Sequence, residues 1–175
     1  LWSVLGWSRS DSDATRLDKL VAFCERYRIS TVEGLPLLSS LLSLPPSPRY
    51  PAPPMSPERQ KQRTLQTLLE AVLAVAAEHP VLAVVEDLHW IDPTTEELLT
   101  LIVAQVATVR LLALLTARFH FRAPWQPHSH LTPIVLTRLT RRQAGELVSH
   151  VAGTRVLAEE VVGQIVARAD GVPLY

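Results

Sequence analysis

Val81-Leu82-Ala83-Val84-Val85-Glu86-Asp87-Leu88-His89-Trp90-Ile91-Asp92 is the stretch on which the fold turns. Five apolar, β-branched-rich residues in a row, stopped behind by Pro80, read as a short strand buried on both faces. Two acids follow at once. Asp92-Pro93 then opens a helix to about Val106, with Glu96 and Glu97 in its first turns. Leu111 to Leu115 is a second continuous apolar run. Residues 81–115 therefore read strand, helix, strand, a parallel pair joined by a right-handed crossover.

Working outward, Ser56-Pro57-Glu58 has the residues of a helix start, and the helix runs to about His79 with Leu65, Leu68, Leu69, Val72, Leu73 and Ala76 on one face. The prolines between 45 and 57 forbid regular ladders and mark an extended connector, with PxxP-type recognition as the lesser reading. Asp11 to about Tyr27 is helical by its spacing of Leu17, Leu20, Val21 and Cys24, and a short helix follows Gly34. Downstream, Ile134-Val135-Leu136 reads as a short third strand. Thr140 and Gln143 have capping-box spacing, starting a helix that buries Ala144, Leu147, Val148 and Val151. A last helix near 157–169 uses Ala158, Val161, Val162 and Ile165, with Gly171 placed to end it. The change from alternating elements to helices alone sets a domain boundary: residues 1–137, then a small helical subdomain over 138–175.

Composition narrows the function classes. The chain has 175 residues, 47% of them apolar, and equal numbers of basic and acidic residues, 17 each. It can bury a core, and no global field draws it to nucleic acid or an acidic membrane. The lone Cys24 excludes an internal disulfide and reads as a small buried hydrophobe, which with the absence of a membrane-spanning run leads to an expectation of a cytoplasmic protein. Arg59, Lys61 and Arg63 read as the solvated start of a helix. His120, His128 and His130 lack an acid or Cys at ligand spacing and read as loop residues rather than a metal site.

The chemistry is expected at one sheet edge. Ligands of open parallel sheets sit beyond the carboxyl ends of the strands. Glu86 and Asp87 are delivered there, and Thr116 and Arg118 end the second strand at the same edge. If neighbouring acids point oppositely, as in a strand, one can hold a Mg²⁺ shell while the other orients a water. A hydroxyl and a guanidinium beside them suit a γ-phosphate. The plainer alternatives are acids that cap the strand in solvent and an Arg118 paired with one of them. His89-Trp90 is read as packing and hydrogen bonding, and Trp125 as an anchor for the loop after the second strand.

The order apolar strand, Glu-Asp-Leu-His-Trp, helix, apolar strand, Thr-Ala-Arg resembles the AAA-type (STAND) ATPase module of bacterial LuxR-type transcriptional regulators and of cyclase-associated ATPases. Asp170-Gly171-Val172-Pro173 resembles the GxP motif that ends their helical subdomain. The resemblance implies an α/β fold, the three-layer parallel sheet of a P-loop NTPase followed by a helical subdomain. It makes Glu86 the Walker B acid holding Mg²⁺ through water, Asp87 the catalytic or water-orienting acid, Thr116 and Arg118 the sensor 1 residues, and Gly171 and Pro173 the residues that pack on adenine. The family more often has Asp in place of Glu86. ATP and Mg²⁺ are the implied cofactors. The implied partner is a DNA-binding or cyclase output domain, with nucleotide-dependent oligomerisation.

A Walker A loop, GxxxxGK[ST], does not occur: neither Lys19 nor Lys61 follows a Gly. Leu1, Trp2, Val4, Leu5 and Trp7 begin the chain mid-pattern without an initiator Met, and Leu174-Tyr175 ends it after an apolar turn. The expectation is a fragment whose phosphate loop lies upstream, inactive alone and an ATPase only in the intact protein. The rival reading is a non-catalytic helical interaction module.

Overall fold

The computed structural model describes residues 4–125, 129–153 and 157–173. These form two compact units, residues 1–130 and 131–175, so the division falls a few residues before the expected 137/138 boundary.

In the first unit, α1 (Asp13–Arg26) starts two residues later than its apolar spacing suggests, because Ser12 is the cap: its side chain accepts from the Thr15 N–H. α2 (Gly34–Leu41) is mostly apolar, and Gly34 to Leu38 are buried. The proline-rich segment after it is irregular, with one turn in which Tyr50 N–H donates to Ser47 O at 3.0 Å. α3 (Pro57–Glu78) is capped by Ser56, carries Pro57 in its first turn and ends before Pro80, as its sequence dictates. Leu20, Cys24, Leu35, Leu38 and Ala71 fill one core between α1, α2 and α3. Burial pushes the Cys24 thiol up to about 11, so it acts as a hydrophobe there.

The long α3 also walls a second core. β1 (Val81–Val85), α4 (Pro93–Gln105) and β2 (Leu111–Leu115) make the expected crossover, with β1 and β2 paired directly in parallel from Val81 opposite Leu111 to Val85 opposite Leu115. Asp92 caps α4 by accepting from the Thr94 and Thr95 N–H groups, and the Thr95 hydroxyl, with these backbone bonds, holds its carboxyl below the usual range. Leu69, Ala76, Leu88, Leu99, Ile102 and Leu111 pack together, with Phe121 and Trp125 against them, so Trp125 does anchor its loop.

Two expectations need correction here. The strands are not buried on both faces. Leu82, Val84, Leu112 and Leu114 are 51–67% exposed on the outer face, while the alternate residues meet α3 and α4. Among the described residues the sheet has two strands, since Ile134, Val135 and Leu136 are irregular and exposed. Three apolar residues just after Pro133 have no strand to pair with, and propensity without a ladder makes no strand. The Arg59–Arg63 run does open a helix and is largely exposed, as expected; there Lys61 ion-pairs with Glu97 of α4, and Arg63 bonds Glu33 at 2.7 Å.

The second unit is a helix pair, α5 (Arg141–Ala152) and α6 (Glu159–Ala169). Thr140 and Gln143 form the reciprocal capping box. Ala144 is buried as expected, but Leu147 and Val151, expected to be buried with it, are 37% and 78% exposed. The segment before α5 is tied to the turn after α6: Leu139 N–H donates to Gly171 O at 2.9 Å, and Arg138 binds the Asp170 carboxylate. Gly171 has φ +75°, and a Cβ there would lie 2.6 Å from Leu139 O. Only glycine fits.

Candidate functional site

The carboxyl edge of the sheet is built by the way β1 ends. Val85 O accepts from Thr116 N–H at 3.0 Å, the last link of the ladder. The chain then leaves the strand sharply. Asp87 adopts φ +56°, ψ +45°, a left-handed conformation that Asp tolerates better than most residues, and a single 3-10 turn spans Leu88–Trp90. The turn is bolted to β2 by two bonds: Asp87 N–H to Thr116 Oγ1 at 3.1 Å and Leu88 N–H to Thr116 O at 2.9 Å. Leu88, 3% exposed, plugs the second core below. Position 88 thus explains why an apolar residue interrupts a polar segment.

Glu86, Asp87 and Thr116 therefore come together as expected, but not by the expected geometry. β1 stops at Val85, so the two acids do not alternate across a strand; the left-handed turn, not the pleat, sets their directions. Both are exposed. Thr116 uses its hydroxyl oxygen as an acceptor for the turn, leaving its O–H free to donate outward. Arg118 is the third residue beyond β2, in an exposed loop, where its carbonyl accepts from Phe121 N–H at 2.9 Å. Among the described residues it makes no ion pair with Glu86 or Asp87, so the pairing considered above is not formed. Gly171 and Pro173 belong to the second unit, where they line a cavity of about 370 Å³ with Leu139, Leu147, Ile165 and Val172. Its lining is mainly apolar.

Among the described residues neither the Glu86 nor the Asp87 carboxylate pairs with a Lys or Arg, and Asp87 Oδ1 lies 3.9 Å from His89 Nδ1. Among the described residues no three His, Cys, Asp or Glu side chains are grouped so as to hold a metal ion. His120 packs edge-on against His89 with ring centroids 6.2 Å apart, and His130 Nε2 lies 3.0 Å from Val103 O; His128 lies outside the described residues.

Sequence reasoning missed two features. Trp90 and Phe119, 75% and 88% exposed, stand on the segments that leave the two strands at this edge. His89 does not hydrogen-bond as expected: its side chain is 6% exposed, and neither ring nitrogen has a partner. A solvent-facing aromatic and a buried imidazole look alike in a sequence, since burial after a turn depends on the φ of the residue before it.

No family model matches the chain, and no solved structure matches it. An uncharacterized protein of Rhizobium meliloti (strain 1021) is 31% identical over 83 residues, which are 47% of this chain and 8% of that protein. The chain thus spans less than a tenth of that relative's length. No helix among the described residues is long and apolar enough to cross a membrane.

Proposed function

We propose that the chain is the Walker B and sensor portion of an ATP-dependent switch of the STAND type, with its GxP helical subdomain, operating in the cytoplasm of a bacterium. One observation carries the reading: a parallel β1–β2 pair whose carboxyl ends place Glu86, Asp87 and Thr116 at one edge, with the Asp87 backbone tied to Thr116. In this reading Glu86 holds Mg²⁺ through water and Asp87 orients the attacking water. Thr116 and Arg118 meet the γ-phosphate, and Gly171 and Pro173 close on adenine. A third layer covers the outer sheet face, completing the P-loop architecture. Hydrolysis is a slow switch between two conformations, read out by a DNA-binding or cyclase domain and coupled to nucleotide-dependent oligomerisation.

The chain supplies no phosphate loop of its own. Several charge-assisted bonds to phosphate, each worth ~1.5–3 kcal/mol, are missing, and losing three removes roughly 5 kcal/mol, over three decades of affinity. Binding of Mg-ATP by the chain alone is then about millimolar. Paramagnetic broadening in NMR detects so weak a site. With Mn²⁺-ATP in place of Mg²⁺-ATP, amides at 85–88 and 116–118 should broaden first, and Glu86→Ala should remove the effect. Broadening elsewhere, or indifferent to Glu86, refutes the assignment. The rival, a non-catalytic interaction module, is favoured by the bare apolar sheet face at Leu82, Val84, Leu112 and Leu114. It predicts no selective broadening at all.

A further inference from the structure

The His89 ring is the least explained group in the chain. It sits under the turn that carries the acids, almost wholly buried, with Trp90 on one side at 5.4 Å between ring centroids and His120 edge-on at 6.2 Å. Neither ring nitrogen reaches solvent or a hydrogen-bond partner. Burying a polar group without a partner is unfavourable, and native interiors avoid it. An acceptor stands close by: the Asp87 carboxylate Oδ1 lies 3.9 Å from His89 Nδ1. That is about an ångström too long for a hydrogen bond. The Asp87 side chain is 73% exposed and makes no other bond, whereas its backbone is locked to Thr116. Only the carboxylate is free to close the gap, by rotation about its own side-chain bonds.

We propose that His89 is the positioning residue for Asp87: its Nδ1–H donates to one carboxylate oxygen and fixes the side-chain rotamer, leaving the other oxygen facing outward. Two anchors then hold this acid, Thr116 on the backbone and His89 on the side chain. A neutral imidazole has one proton to place, and an acceptor beside Nδ1 selects the Nδ1–H tautomer over the Nε2–H form. The bond costs the ring nothing, since it is already immobilised by packing. It restricts a carboxylate that would otherwise sample several rotamers. The consequence for catalysis rests on the switch reading above: an acid that orients water must itself be oriented, and small misplacements are expensive. The hydrogen bond itself stands apart from that reading, so it is tested without nucleotide.

The experiment is NMR on the full chain with ¹⁵N-labelled histidine, at mildly alkaline pH where imidazoles are neutral, with His89 assigned by its loss in His89→Leu. The wild type should hold the proton on Nδ1. Asp87→Asn, whose amide oxygen still accepts, should keep that tautomer. Asp87→Gly, which suits the left-handed backbone at φ +56° and so preserves the turn, should revert to Nε2–H. Couplings that report the Asp87 χ1 angle should show one rotamer in the wild type. They should show averaging in His89→Leu, and one rotamer again in His89→Asn, whose amide N–H stands where Nδ1–H was. An Nε2–H tautomer in the wild type, no change in Asp87→Gly, or a single Asp87 rotamer in His89→Leu each overturns the proposal. None of these results bears on whether ATP binds.

Discussion

Leu82 and Leu88 lie six residues apart in one segment and offer a sharp test of how the sheet edge is held. Leu88 is 3% exposed in the second core, whereas Leu82 is 63% exposed on the bare face. Truncating Leu88 to alanine removes the equivalent of about three methylenes, roughly 2.4 kcal/mol of transfer free energy at ~0.8 kcal/mol each. A cavity term raises this to about 3–4 kcal/mol, inside the ~2–5 kcal/mol range for such changes. Leu82→Ala, at the surface, should stay within about 0.5 kcal/mol. The assay is urea unfolding followed by tryptophan fluorescence. All four tryptophans of the chain precede residue 131 in sequence, where the second unit begins, so that unit contributes no tryptophan signal of its own. With a slope of ~2 kcal/mol per molar, Leu88→Ala should lower the midpoint by about 1.5–2 M and Leu82→Ala by less than ~0.3 M. Similar shifts for both, or a Leu88→Ala shift below about 0.5 M, would refute the one-sided burial described here.

Acid should unfold the first unit through two aspartates. Asp11 is held low by its bond from Lys19 and then the Ser8 N–H, Asp92 by the Thr95 hydroxyl and the backbone it caps. A lowered folded pKa contributes stability that is full above the unfolded value near ~3.9 and is lost as pH falls through the folded one. The urea midpoint should therefore drop below about pH 4, and less steeply in an Asp11→Asn, Asp92→Asn double variant; an unchanged slope contradicts the assignment. In the second unit, Gly171→Ala meets the left-handed penalty of ~1–2 kcal/mol plus a 2.6 Å overlap with Leu139 O. Amide exchange in α5 and α6 should accelerate about tenfold or more, and an unaltered rate would show that the turn relaxes freely.

What was legible in the sequence was whatever a short window determines. The Ser56, Asp92 and Thr140 caps, Pro80 as a stop and the two apolar runs each act through neighbours within four residues, and each of these elements formed within a residue or two of its reading. The parallel pairing of 81–85 with 111–115 followed from the length and type of the connection. The site was half legible. Which residues gather at the edge follows from where strands end. Their orientation depends on one backbone angle at Asp87, invisible to periodicity, and His89 went inside for the same reason. Ile134-Val135-Leu136 shows the opposite failure. Its composition suits a strand, but a strand exists only with a partner to bond, and composition says nothing of partners.

The bare face of the sheet has an evolutionary corollary. Because Leu82, Val84, Leu112 and Leu114 contribute little to holding this chain together, folding alone places almost no constraint on them. In a saturation library of the isolated chain selected for folding, polar variants at these four positions should survive about as well as at any surface site. In a library selected for function in the full cellular setting, any intolerance there must come from whatever meets that face. The difference between the two tolerance maps, position by position, would outline that contact without a structure of it.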